Sequence, residues 1–308
     1  MIAPIPTRLR LTVDGPYDAA HAVGLLAAHT VPGAERTDVE SGTHARLLSV
    51  GGAPARVDLR FTPEVVDVEV RTGAPDGLTA ADAAELSATI RRWLDLDADL
   101  DRVAAAFADD ALLAPLVAAR PGIRITGHPV GFEAATMTVL GQQVSLAAAR
   151  TFVGRLVAHY PGGDEVHGLT PFPTPQQIVD ADHDELRAAV GVTNSRARTL
   201  RAVATAFVDG LELAPDVDHD DARRRLLAVS GIGPWTVEYV AVRALADRDA
   251  FPAGDLVLRR VLGGISTAAA ETASLPWSPL RAYALFHLWA DAIGPPQPAP
   301  PAVSSPTP

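Results

Sequence analysis

The distribution of apolar and polar side chains divides the chain into an alternating part and a helical part. Residues 8–14 alternate, as in a strand with one buried face, and the apolar run 19–28 predicts a helix. Three more strand-like runs follow, at 45–50, 55–61 and 65–71. Gly51-Gly52 and Pro63 separate them in the manner of hairpin turns. We therefore predict an N-terminal unit of one helix and an antiparallel sheet, which lacks catalytic residues and acts mainly as a scaffold.

From Leu78 onward the alternation stops and helical spacing replaces it. Thr79 is placed to cap a helix that runs to about Asp95, and the apolar stretch 131–160 is helical with a break at Gly141. Shorter helical segments follow, at 184–190, 196–208 and 222–229. This pattern predicts the α+β class, with an all-α second region. The predicted divisions are a first domain at 1–90, a helical region at 91–294 and a disordered proline-rich tail at 295–308.

Composition narrows the class of protein. The 308 residues suffice for two or three domains with their own cores. No run approaches the roughly 20 apolar residues that cross a membrane, and the first residues lack the apolar core of a signal peptide. We therefore expect a cytoplasmic protein. The chain has no cysteine, which excludes thiolate metal sites and a cysteine methyl acceptor. All 26 basic residues are arginine, and the net charge of -11 argues against nonspecific coating of nucleic acid.

The most informative segment is Ser230-Gly231-Ile232-Gly233-Pro234, which follows the helical segment 222–229. Its two glycines permit a tight reversal, and Pro234 suits the first turn of the next helix. Such a hairpin directs backbone N–H groups toward one point beside a helix N-terminus, an arrangement that binds phosphate. On its own, however, a Gly-Ile-Gly sequence between two helices is most often a plain turn.

Further segments accompany the hairpin. They are Val139–Ser145, Pro171–Pro175, Phe251–Asp255 and Trp277–Trp289. As a set, in this order and spacing, they resemble the helix-hairpin-helix DNA glycosylases, from about Arg8 to Gly294. The resemblance implies a TATA-binding-protein-like first domain, followed by two helical lobes with the active cleft between them. It also implies base excision repair by hydrolysis of the N-glycosidic bond of alkylated purines such as 3-methyladenine and 7-methylguanine.

Asp255 carries the chemistry in this interpretation. Judged alone, an aspartate that opens a helical run is a helix N-cap. The resemblance implies that Asp255 is also the catalytic carboxylate, which stabilises an oxocarbenium-like sugar or orients water. Relatives that also cut the strand carry a lysine at the position of Trp235, where it forms a Schiff base. The chain contains no lysine, so we predict hydrolysis without strand cleavage.

The predicted base pocket consists of aromatic side chains. Trp235 and Tyr239 are four residues apart and share one helix face, which without other context indicates a core stripe. The resemblance implies that these two residues and Trp277 surround the flipped base, because aromatic faces attract a positively charged purine. Trp289 lies in an apolar run and is predicted to belong to the core.

The resemblance also implies which residues contact DNA. They are Gly231, Gly233, Gln142, Gln143 and Arg196. Gln143 lies in the loop that, in the family, inserts a side chain into the gap left by the flipped nucleotide. Its residue type departs from the family pattern, as do those of Gly254 and Pro234. These departures bear on the range of lesions more than on the type of reaction.

No cofactor and no catalytic metal are expected, because no histidine–carboxylate spacing predicts one. The resemblance allows a structural sodium or potassium ion, held by the backbone of Leu227, Val229 and Ile232. The expected partner is double-stranded DNA with alkylated bases, bound by a monomer. Two alternatives remain, a noncatalytic helix-hairpin-helix DNA-binding protein and a regulatory protein. The combination of Asp255 with the aromatic residues argues against both, and a glycosylase assay separates them.

Overall fold

The computed structural model describes residues 7–73 and 77–294, so the proline-rich tail predicted at 295–308 lies outside the described residues. The N-terminal domain contains one antiparallel sheet in the strand order β1-β5-β4-β3-β2. Its strands are β1 (Thr7–Thr12), β2 (Glu35–Asp38), β3 (Thr43–Val50), β4 (Ala53–Phe61) and β5 (Val65–Arg71). Helix α1 (Ala19–His29) connects β1 to β2. The predicted antiparallel unit and the α+β class are confirmed.

The core of this domain forms because alternate strand residues are apolar. Val57, Leu59, Val66 and Val68 are at most 2% exposed, and they pack in one cluster with side chains of α1 and of helix α2 (Ala80–Leu94). Thr79 caps α2 in a reciprocal arrangement with Asp82, as its position predicted. The cluster extends to Leu96, so the predicted division at residue 90 falls within a helix that packs on this sheet.

The rest of the described chain is helical, apart from an isolated bridge between Val166 and Leu169. The helices are α3 (Leu100–Ala106), α4 (Leu113–Ala119), α5 (Gly131–Gly141), α6 (Leu146–His159), α7 (Pro175–Asp180), α8 (His183–Val190), α9 (Asn194–Val208), α10 (His219–Leu227), α11 (Pro234–Ala244), α12 (Leu256–Val261), α13 (Thr267–Ser274) and α14 (Arg281–Ile293), with a 3-10 turn at Leu275–Trp277. The predicted break at Gly141 is confirmed, because α5 ends there. None of the described helices is long and apolar enough to cross a membrane.

Two features join the N-terminal domain to the helical region. Val31 and Ala34, from the segment after α1, belong to the hydrophobic core of the helical region. Arg46 on β3 is 2% exposed and pairs with Glu35 of its own domain at 3.2 Å and with Glu133 on α5 at 2.5 Å. Removing one partner of a buried ion pair is strongly destabilising, because the other charge is left buried and uncompensated. This contact therefore holds β2 and β3 of the N-terminal domain against α5.

Candidate active site

The hairpin between α10 and α11 has the geometry that its glycines predict. Gly231 has a φ of +89°, and a Cβ built on it would lie 1.9 Å from Thr199 Oγ1, so this position requires glycine. Gly233 is the N-cap of α11 with an extended backbone, and a Cβ there would meet nothing within 4 Å. The N–H groups of Gly231 and Gly233 donate to no acceptor within the described chain. They are therefore available to an anion at the start of α11.

The loop after α11 places Asp255 beside the N-terminal part of that helix. Glu238 on α11 accepts a hydrogen bond from the N–H of Phe251 at 3.1 Å, and the N–H of Asp255 donates to the carbonyl of Pro252 at 2.8 Å. Gly254 packs against Trp235, since a Cβ there would lie 3.4 Å from Trp235 Cβ. The loop that carries the carboxylate is thus attached to the helix that carries the aromatic pair.

Asp255 is both a helix cap and a cavity residue. Its Oδ1 accepts hydrogen bonds from the N–H of Leu258 at 2.8 Å and from Nε1–H of Trp289 at 3.2 Å. Its Oδ2 has no hydrogen-bond partner among the described residues, and the side chain is half-buried at the cavity wall. One oxygen thus fixes the orientation of the carboxylate, and the other remains free for a reacting group.

A cavity of about 310 Å³ lies between the N-terminal domain and the helical region. Its wall contains an aromatic group in which the ring of Tyr239 lies 5.3 Å from that of Trp235 and 5.9 Å from that of Trp289. The remaining lining residues are His21, Leu25, His29, Val31, His128, Ala134, Met137, Thr138, Gly141, Val144, Leu146, Ala149, Arg150, Val153, Arg243, Asp255, Val257 and Phe286. The volume and the largely apolar wall suit one flat, aromatic ligand.

Two predictions about tryptophans are corrected by the structure. Trp277, which was predicted to line the pocket, lies in the core, and Trp289, which was predicted to lie in the core, lines the pocket. Trp277 is 5% exposed, packs edge-on against Phe251 at 5.9 Å and donates from Nε1 to Asp110 at 2.7 Å, and it does not line the cavity. Trp289 is half-buried and contacts both Tyr239 and Asp255. The two residues exchange roles because α14 points Trp289 toward α11, whereas the turn before α14 packs Trp277 into the core.

The cavity wall also carries positive charge. Arg243 is 7% exposed, its guanidinium lies 5.8 Å from the ring centre of Tyr239, and none of the ion pairs within the described residues includes it. Arg150 donates from Nε to the carbonyl of Thr30 at 3.0 Å. Among the residues that the structure describes, Asp255 is the one carboxylate in the cavity lining. A cationic ligand in this cavity would therefore be attracted by Asp255 and the aromatic faces and not by an excess of negative charge.

Comparison with known proteins gives the family. Residues 8–129 match the family described as AlkA N-terminal domain, and residues 136–274 match the HhH-GPD superfamily of base excision DNA repair proteins. DNA-3-methyladenine glycosylase 2 of Escherichia coli strain K12 is 33% identical over 276 residues, which cover 89% of this chain and 94% of that protein. The chain belongs to the DNA-3-methyladenine glycosylase 2 family. The family that its motifs resembled is thereby confirmed.

Two further comparisons are informative, one with a longer relative and one with a solved structure that shares the fold. A probable bifunctional transcriptional activator/DNA repair enzyme AlkA of Mycobacterium tuberculosis is 39% identical over 290 residues. The match covers 91% of this chain, which spans only 56% of the length of that relative. The structure of a 3-methyladenine DNA-glycosylase from Archaeoglobus fulgidus has a TM-score of 0.79 at 21% identity, and the match covers 92% of this chain and 98% of that one. This similarity shows that the fold is shared.

The glutamines that the family resemblance assigned to DNA contact occupy two different environments. Gln142 donates from Nε2 to Thr236 Oγ1 at 3.0 Å, and its carbonyl accepts a hydrogen bond from Arg196. Gln142 therefore connects the turn between α5 and α6 to α11, and Arg196 connects the same turn to α9. Gln143 has a φ of +55° and is exposed. The side chain of Gln143 forms no hydrogen bond among the described residues, so it is the freer of the two.

The hairpin of this chain offers backbone oxygens for the structural cation that the family resemblance allows. The carbonyl of Val229 accepts one hydrogen bond, from Ile232 N–H at 3.1 Å, which leaves it a second lone pair. The carbonyls of Leu227 and Ile232 accept none within the described chain. These oxygens therefore fit a hard monovalent ion.

A second group of metal-ligating side chains has a different explanation. Glu35, His128 and Glu133 are close enough to share an ion, but the guanidinium of Arg46 lies among them and pairs with both carboxylates. A protein cation thus already supplies the positive charge that the two carboxylates require. Burial nevertheless raises the pKa of Glu133 above its ordinary value, in spite of Arg46.

The N-terminal domain contributes to the cavity in a way that sequence reasoning missed. His21, Leu25 and His29 lie at four-residue intervals along α1, so they share one face, and this face lines the cavity. The interpretation of this domain as mainly a scaffold is therefore incomplete. The available signal was the four-residue spacing of His21 and His29 about Leu25, which places two polar side chains on one face of a short apolar helix.

Proposed function

We propose that the chain is a monofunctional DNA glycosylase that removes alkylated, positively charged purines during base excision repair. The observation that carries the proposal is the contact between Asp255 and Trp289 at the wall of an aromatic cavity. Family membership supports the same reaction class. The expected substrates are 3-methyladenine and 7-methylguanine in double-stranded DNA, which the protein binds as a monomer.

The cavity accounts for base recognition. A flipped purine lies in the cavity against the aromatic group of Trp235, Tyr239 and Trp289, whose rings form part of the wall. A cationic base gains about 0.5–2 kcal/mol from each well-placed aromatic face. The same positive charge makes the base a good leaving group, so no side chain needs to act as a general acid.

Asp255 supplies the complementary charge at the sugar. As the glycosidic bond breaks, positive charge develops on the deoxyribose, and the free Oδ2 of Asp255 stabilises it or orients the attacking water. Leu258 N–H and Trp289 Nε1–H hold Oδ1 throughout, so the carboxylate does not have to reorganise during the reaction. Catalysis then depends on a charge that is oriented before the substrate arrives.

The hairpin supplies binding that is independent of sequence. The free N–H groups of Gly231 and Gly233 contact a phosphate. The carbonyls of Leu227, Val229 and Ile232 would hold a sodium or potassium ion, which would stabilise the turn. Gln143 enters the gap left by the flipped nucleotide.

Base release from methylated duplex DNA tests the proposal. DNA treated with dimethyl sulfate is incubated with the protein, and the released bases are separated by liquid chromatography. We expect free 3-methyladenine and 7-methylguanine, and a DNA strand that stays intact until the abasic sites are cleaved with alkali. Release of neither base would contradict the proposed function. Strand cleavage during the reaction would contradict the hydrolytic mechanism, because this chain has no lysine to form a Schiff base.

A further inference from the structure

His29 lies where the N-terminal domain meets the cavity. It is the last residue of α1 and lines the cavity wall together with His21 and Leu25 of the same helix. Arg150, which bonds the carbonyl of the next residue, Thr30, lies beside it. A cavity of about 310 Å³ is large enough for one purine, and the polar atoms on its walls are the groups that can meet the edges of the base.

The hydrogen bonding of His29 assigns the proton on its ring. Nδ1 lies 2.9 Å from the carbonyl oxygen of Leu25, one turn earlier in the helix. A carbonyl oxygen can only accept, so Nδ1 carries the hydrogen. Burial, with the positive charges of Arg243 and Arg150 added to it, lowers the pKa of His29 to about 4, in spite of the bond to Leu25. At neutral pH the ring is therefore uncharged, and Nε2 carries a lone pair.

This lone pair is free. Nε2 of His29 has no partner within the described residues, and it is not among the polar atoms buried without one, so it keeps access to the cavity. His21, two turns earlier on α1, also lines the cavity, and its ring nitrogens form no hydrogen bond among the described residues. Trp235 Nε1 and Arg243 Nε lack a partner as well, but both are donors and both are buried. Asp255 is directed at the sugar in the proposed reaction. His29 thus offers the base an uncharged acceptor whose position on the ring is fixed by Leu25, whereas no hydrogen bond fixes the tautomer of His21.

Purine lesions differ in what they present to such an acceptor. An adenine-derived base carries an amino group at position 6, which donates, whereas a guanine-derived base carries a carbonyl oxygen there, which only accepts. From this juxtaposition we infer that His29 determines lesion preference by accepting a hydrogen bond from the 6-amino group of the flipped base. A carbonyl oxygen at the same place would face the lone pair without a proton between them. The inference rests on the proposed function and specifies which substrates it favours.

The two cationic lesions in methylated DNA separate this effect from that of charge. Both 3-methyladenine and 7-methylguanine are positively charged while attached to deoxyribose, but only the first has a 6-amino group. His29→Leu removes the acceptor at similar volume, and His29→Gln keeps one in Oε1. We expect His29→Leu to lower the initial rate of 3-methyladenine release about 3- to 10-fold, the effect of one neutral hydrogen bond, with little change for 7-methylguanine. His29→Gln should restore most of the ratio.

His159 provides a matched control. Its Nδ1 also bonds the carbonyl four residues earlier, Arg155, at 2.9 Å, but it is exposed on α6 and does not line the cavity. His159→Leu should leave the ratio of released bases unchanged. Affinity for duplex DNA with an abasic site should be the same in wild type and His29→Leu, because no base then occupies the cavity. A general structural defect would instead lower this affinity.

The outcomes distinguish failure of the inference from failure of the proposed function. If the wild-type protein releases neither base, the proposed function is wrong and the inference falls with it. If the wild type releases both and His29→Leu slows them equally, or changes neither, only the inference is wrong. The same conclusion follows if a folded His29→Gln behaves like His29→Leu. A selective loss of 3-methyladenine release that His29→Gln reverses would support the inference.

Discussion

The two glycines of the hairpin should respond very differently to the same substitution. Gly231 has a φ of +89°, and an added Cβ would lie 1.9 Å from Thr199 Oγ1, so Gly231→Ala introduces both backbone strain and overlap. Each effect costs about 1–3 kcal/mol, which together lowers the free energy of unfolding by about 2–6 kcal/mol. Gly233 has an extended backbone, and its added Cβ would meet no atom within 4 Å. Gly233→Ala should therefore leave stability nearly unchanged.

DNA binding, unlike stability, should be affected by the substitution at Gly233. The open space beside Gly233 is where the phosphate approaches the hairpin in our proposal, so Gly233→Ala should weaken duplex binding of a folded protein. Because the hairpin contacts phosphate rather than bases, this loss should be similar for damaged and undamaged DNA. Thr199→Ala removes the nearest atoms to the new methyl group of Gly231→Ala. The double variant should therefore recover part of the lost stability, while the strain of positive φ remains.

Thermal unfolding and DNA titration test these expectations. For a domain of this size, 1 kcal/mol corresponds to about 2–4 °C, so Gly231→Ala should lower Tm by roughly 5–20 °C. Gly233→Ala should keep Tm within a few degrees and show a raised Kd for duplex DNA. Equal Tm values for the two variants would refute the assignment of Gly231 to the fold. A lesion-selective loss of binding in Gly233→Ala would refute phosphate contact.

Three further predictions follow from the site and the core. Trp289→Phe should slow base excision about 10- to 100-fold by removing a donor from a charged carboxylate, whereas Trp277→Leu should lower Tm and leave single-turnover excision by the folded protein near wild type. Burial lowers the pKa of His44 to about 3 and of His287 to about 4. In the unfolded chain both bind protons below about pH 6.5, so urea midpoints should fall between pH 7 and pH 5, with a loss of about 2 kcal/mol for each histidine; an unchanged midpoint would contradict this. Borohydride should trap no covalent adduct with DNA, because the chain has no lysine; an adduct mapped anywhere except the amine of Met1 would contradict hydrolysis.

Local pattern was sufficient for most of the fold. Period-two alternation gave β3, β4 and β5 within a few residues, because one face of each strand is buried. Strand β2 was not predicted, since Glu35-Arg36-Thr37-Asp38 contains no apolar side chain. It forms at the edge of the sheet by pairing with β3, and buried Glu35 is compensated by Arg46 and by the N–H of Val31. Such a strand depends on a partner that local sequence does not show.

The site could be predicted as far as motifs lie close together in sequence. Trp235, Tyr239 and Asp255 share one helix and the loop attached to it, and all three line the cavity. Trp277 and Trp289 could not be told apart, because their environments depend on how α14 packs against α11 and α12. His29 comes from another domain, so its place in the cavity follows from packing between domains and not from any local pattern.

The central claim is that the carboxylate of Asp255 drives cleavage of the glycosidic bond. Asp255→Asn tests it well, because asparagine is also a favoured N-cap and its Oδ1 can keep the bonds from Leu258 and Trp289. The matched control is Asp218→Asn, at the aspartate that caps α10 away from the cavity.

The decisive measurement is single-turnover release of 3-methyladenine from methylated duplex DNA by wild type, Asp255→Asn and Asp218→Asn, with DNA affinity measured for each. We predict that Asp255→Asn lowers the excision rate about 10²- to 10³-fold at unchanged affinity, as expected for loss of one preorganised electrostatic contact. Asp218→Asn should excise at the wild-type rate. Near wild-type excision by Asp255→Asn would contradict the assignment of Asp255 as the catalytic residue.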